Sequence, residues 1–117
     1  AVSLPESMEG YNLVREAFIH HADAAQAERF LRAAAGYGVP VLRAAAEDFA
    51  AAERPEGAFI AWSLVAALEG GSADALYGQA IAALRMGARD EARGYLTEAL
   101  RSDAGHRKAR ELMELIG

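Results

Sequence analysis

The sequence predicts an all-α fold, a helical-repeat solenoid of antiparallel helix pairs with about seven helices, and three observations lead to it. Alanine supplies 29 of the 117 residues, and alanine is the best helix former because ordering it costs no side-chain entropy. No segment alternates apolar and polar residues as a half-buried strand would. Apolar positions recur instead at spacings of three and four, between glycine, proline and capping signals. The length suits one domain spanning 1–117, with a core only if the helices pack closely, as alanine faces allow.

The elements follow from those signals. Residues 1–6 are expected to be poorly ordered. Helices are expected at 7–21, 23–35, 39–53, 56–69, 73–86, 88–102 and 105–116. Asp23, Ser72 and Asp103 stand where N-caps belong, and Gly36, Gly70, Gly71 and Gly87 stand where helices stop. Pro55 separates the third helix from the fourth, whose run AFIAWSLVAAL is the most apolar in the chain and belongs inside the stack. The seventh helix, RKARELMELI, is polar enough on one side to close the end of a stack. Expected core residues include Leu31, Leu42, Phe49, Trp62, Val65, Leu68, Leu76, Leu96, Leu112 and Leu115.

Residues 73–105 form one complete helix-turn-helix unit. In its second helix Ala92, Leu96 and Ala99 fall at spacings of four and three, so a neighbouring helix can approach at the alanines while the leucine fills the gap. The segment AERFLRAAAGYGVP upstream repeats the pattern, with Ala27, Leu31 and Ala34 matching Ala92, Leu96 and Ala99, and Phe30 matching Tyr95. With Leu76, Ala80, the turn at Gly87, and Leu100 added, the unit resembles the tetratricopeptide repeat (TPR) family, whose repeat is about 34 residues long. Ala83 stands where that family usually has an aromatic residue and Ala104 where it usually has proline. The resemblance implies three TPR-like units, the middle one degenerate, and a C-terminal capping helix.

Charge and composition exclude several functions. A net charge of -5 argues against nucleic acid, whose binding rests on neutralising phosphates with lysine and arginine. No apolar run approaches the roughly 20 residues of a membrane span. The absence of cysteine suits both cytoplasm and periplasm, of which the cytoplasm is preferred. Lys108 is the only lysine among many arginines, which with the alanine content suggests a bacterial, GC-rich origin. Residues 1–84 hold 11 acids and 5 bases, whereas 85–117 hold 6 acids and 7 bases.

No catalytic or metal constellation emerges. His20 and His21 are adjacent and diverge by about 100° on a helix, and Glu16 adds at most one ligand beside His20. His106, next to Arg107 and Lys108, suits a helix start better than acid-base work. Glu47 and Asp48 are neighbours on different azimuths, not facing carboxylates. The glycine clusters at 36–38 and 70–71 lack the lysine of a phosphate loop. The expectation is therefore no enzyme, no catalytic residue, no metal and no cofactor.

In TPR domains the first helix of each unit lines a concave groove, and the resemblance carries that role to Asp74, Tyr77, Ile81, Leu84 and Arg85. Tyr77, Ile81 and Leu84 form an apolar stripe, with Arg85 placed to meet a carboxylate at its edge. Family members that clamp a C-terminal carboxylate use lysines and asparagines on this face, and those are missing here. The expected function is a non-catalytic protein–protein interaction module, an adaptor, scaffold or chaperone-like domain, binding an apolar or helical segment of a partner protein. The alternatives are a self-associating structural domain, forming a homodimer, and an accessory interaction domain of a larger enzyme.

Overall fold

The computed structural model describes the backbone from Glu6 to Gly117 and side chains from Met8 onward. Of the expected loose start at 1–6, residues 1–5 lie outside the described residues, and Glu6 is the first residue of the first helix. Among the described residues there are seven α-helices and no strand: α1 Glu6–Ile19, α2 Ala24–Ala34, α3 Val39–Ala51, α4 Pro55–Leu68, α5 Ala73–Arg85, α6 Arg89–Ser102 and α7 Arg107–Ile116. They pack as antiparallel pairs on their sequence neighbours, and α4 lies between α3 and α5. The stack measures 55 × 27 × 19 Å.

Side-chain caps set the starts of α2, α5 and α7. The Asp23 carboxylate accepts from the Gln26 amide at 3.2 Å, and the Ser72 hydroxyl accepts from the Ala75 amide at 3.4 Å. Asp103 proves to be the C-cap of α6. Its Oδ1 accepts from the Gly105 amide at 3.0 Å, tightening the loop, and the N-cap of α7 is His106, three residues later. Helix α2 ends at Ala34, just before the expected stop at Gly36, a 3-10 turn, Ala35–Tyr37, carries the chain through that glycine, and the chain reverses at Gly38. At Gly87 the backbone is left-handed, with φ +80°. That conformation lets the Ala88 amide reach the Ala83 carbonyl at 2.8 Å and ends α5.

The core is built from alanine. Of 25 buried apolar residues among those described, 16 are alanine, so the helices approach closely and the few large side chains fill what remains. Phe49, Leu31, Leu42 and Leu96 are fully buried, each contributing roughly 1.5–3 kcal/mol. Ala27, Leu31, Ala34, Ala92, Leu96 and Ala99, the two matching triplets of the sequence, are all at most 1% exposed. One cluster of buried residues spans α1 to α5 and a second joins α5, α6 and α7.

Two expected core residues are on the surface. Leu68 is 53% exposed and Leu115 is 81% exposed. Leu68 falls in the last turn of α4, just before the Glu69–Gly71 reversal. Helix α7 docks through Ala109, Leu112, Met113 and Ile116. Leu115 lies about 100° from Ile116 around that helix, where none of the seven helices covers it.

Candidate functional site

A cleft of about 390 Å³ opens between α3, α4, α5 and the start of α7, within the size range of ligand sites. Its floor is Trp62 from α4 with Gly78, Ile81 and Ala82 from α5. Gly78 is there because nothing larger fits: a Cβ at that position would lie 2.5 Å from the Trp62 ring. The absence of a side chain lets α5 lie flat against the indole, an approach that offsets the helix-propensity cost of an internal glycine.

Polar groups stand at both ends of this floor. At one end Arg43 donates to both Glu69 carboxylate oxygens, at 3.0 and 3.3 Å, and its guanidinium lies 5.6 Å from the Trp62 ring centroid. The Ser72 hydroxyl donates to Glu69 Oε1 at 2.6 Å. That hydrogen bond, opposed by partial desolvation and reinforced by Arg43, holds the Glu69 carboxyl below its ordinary value of 4.5. Nearby, His106 Nε2 lies 2.7 Å from Asp74 Oδ1, and its Nδ1 accepts from the Ala109 amide at 3.1 Å. Nδ1 is thus the acceptor and Nε2 the donor. The ring, 5.5 Å from that of Tyr77, ties α7 to α5.

At the opposite end of the cleft Arg85 Nη1 donates to the Ala50 carbonyl at 3.1 Å, a bond that leaves its charge unneutralised. Lys108, exposed on α7, has no ion-pair partner among the described residues. The lining therefore carries Arg43, Arg85 and Lys108 against the single carboxylate of Asp74, in a chain whose net charge is -5.

Of the five residues assigned to a groove from sequence, Asp74, Tyr77, Ile81 and Arg85 line this cleft and Leu84 does not. Leu84 packs against the α5–α6–α7 cluster. The open face of α5 is centred on Asp74, Ile81, Arg85 and Gly78, about 60–80° around the helix from the line joining Tyr77 and Leu84. Tyr77 still reaches the rim with its long side chain. Arg43, Trp62, Gly78, His106 and Lys108 escaped the sequence reading. The only tryptophan of the chain and a glycine inside a helix were the two signals that pointed to them.

Of the other two histidines, His20 has local partners. The His20 ring stacks on Phe30 at 5.8 Å, and its Nε2 lies 3.6 Å from Glu16. No group of three His, Asp or Glu side chains able to hold a metal occurs among the described residues. None of the described helices is long and apolar enough to cross a membrane. No protein-family model matches the chain, and no curated protein matches it.

Proposed function

We propose that the chain is a non-catalytic protein-interaction module that holds an apolar segment of a partner protein, flanked by acidic side chains, in the α3–α5–α7 cleft. The observation that carries this reading is the distribution of charge in the cleft. Three cations, two of them without a carboxylate partner, surround an aromatic and aliphatic floor in an otherwise acidic chain. A carboxylate entering there gains charge-assisted hydrogen bonds, while apolar groups between the ends cover Trp62 and Ile81. The resemblance of 73–105 to a tetratricopeptide repeat supports the same reading.

The spacing narrows the partner's chemistry. Arg85 follows Asp74 by eleven residues, which is about 16 Å along α5. Acidic groups serving both ends are then about 16 Å apart: roughly eleven residues apart on a helical partner, or about five on an extended one.

The test is a pull-down from lysate of the source organism with the wild-type chain, Arg85→Glu and Lys108→Glu, bound proteins being identified by mass spectrometry. Both positions are exposed, so circular dichroism should be unchanged. A protein retained by the wild type and lost by both variants supports the cleft. Equal retention by all three removes it.

A further inference from the structure

A second cleft lies between α1 and the C-terminal end of α3, and neither Arg85 nor Lys108 lines it. It is lined by Tyr11, Val14 and Phe18 from α1 and by Ala51 and Ala52 at the end of α3, with Arg15 on the α1 bank and Asp48 on the α3 bank. Tyr11 is 44% exposed, and Met8, one turn earlier on α1, is 46% exposed. Neither Arg15 nor Asp48 has an ion-pair partner among the described residues.

The Arg54 guanidinium lies over the Phe18 ring at 4.1 Å and donates to the Phe18 carbonyl, whereas the two banks carry one unpaired charge of each sign, an arrangement complementary to itself. Under a two-fold rotation Arg15 of one copy meets Asp48 of the other, the reverse pair forms at the same time, and each Tyr11 enters the opposite cleft. A partner carrying only one sign of charge satisfies one bank and repels the other. We infer that the α1–α3 cleft is a two-fold contact between copies of this chain. Fourteen residues of α1 give about 21 Å of length, and two helix widths give roughly 20 Å of breadth, so the footprint is about 400 Å². That is about half the standard area per partner, which makes the dimer a weak one.

Sedimentation velocity of the full chain from about 10 µM to about 1 mM tests this. The wild type should shift from monomer towards dimer as concentration rises. Arg15→Asp and Asp48→Arg should each weaken association about tenfold or more, and the double variant should return to within about threefold of the wild type. Tyr11→Ser should weaken it without affecting the charge pairing. All three positions are exposed, so unchanged circular dichroism checks folding. A monomer at every concentration assigns the cleft to another occupant and overturns the inference. So does a dimer indifferent to both charge reversals, or a double variant that fails to recover.

Discussion

Replacing Gly78 with alanine sets two opposing effects against each other, and the geometry decides the sign. Alanine in a helix interior is favoured over glycine by about 1 kcal/mol. At Gly78, however, the added Cβ would lie 2.5, 2.6 and 2.7 Å from Cδ2, Cε2 and Cγ of Trp62. The indole or the whole of α5 must withdraw by about 1 Å to restore ordinary contact, and overpacking of this kind costs roughly 1–3 kcal/mol. The contacts include Cγ, at the base of the side chain, so the indole cannot clear them by swinging its far end alone, and α4 is packed between α3 and α5. Gly78→Ala should therefore destabilise by about 1 kcal/mol net. The control is Gly94→Ala, also inside a helix, where an added Cβ meets nothing within 4 Å. That variant should gain about 0.5–1 kcal/mol. Urea denaturation followed by circular dichroism measures both, and the emission of Trp62 should shift only in Gly78→Ala. Equal stabilisation by the two substitutions would refute the packing of α5 on the indole, and with it the floor of the cleft.

Three further outcomes follow from other parts of the molecule. Ala92 is fully buried where α6 meets its neighbours, so Ala92→Leu should lower stability by roughly 1–3 kcal/mol; an unchanged thermal midpoint would remove that contact face. Glu53 holds a left-handed backbone, φ +58°, at the end of α3, so Glu53→Gly should raise the urea midpoint, by about 0.5–1 kcal/mol in stability. Glu69 has a lowered folded-state pKa, so its contribution to stability is complete above pH 4.5 and disappears as pH falls through the folded value. Ser72→Ala removes the largest cause of that lowering together with the α5 N-cap. It should move the Glu69 titration, followed by NMR, back towards 4.5; an unmoved titration would show that Ser72 does not set it.

The fold was legible because its signals are local. Pro55, the Gly70–Gly71 pair, Gly87 and the capping side chains of Asp23 and Ser72 each act within a few residues of the boundary they set. The matching triplets around Leu31 and Leu96 were legible for a related reason, since their spacing alone puts them on one helix face. Asp103 misled because it is followed by Gly105, and a carboxylate that closes a turn looks in sequence like one that starts a helix. The site was half legible. Asp74, Ile81 and Arg85 share one helix, so periodicity brought them together, but it left the rotation of that helix open, and Leu84 packs against the α5–α6–α7 cluster instead of lining the cleft. Arg43, Trp62 and Lys108 come from three other helices, and nothing in their spacing says that those helices converge. Leu115 shows the same limit: periodicity marks it as apolar, whereas its burial depends on a neighbour that the seven helices do not supply.

The most direct test of the cleft as a binding site uses its own reporter. Trp62 is the only tryptophan of the chain and part of the cleft floor. Once a partner is captured, its binding segment, prepared as a peptide free of tryptophan, is titrated into the wild-type chain and into Lys108→Glu while Trp62 emission is followed. A saturable change in the wild type, weakened about tenfold or more in Lys108→Glu, is the predicted result. Binding of equal strength to both proteins with unchanged emission would place the partner on another surface and contradict the account.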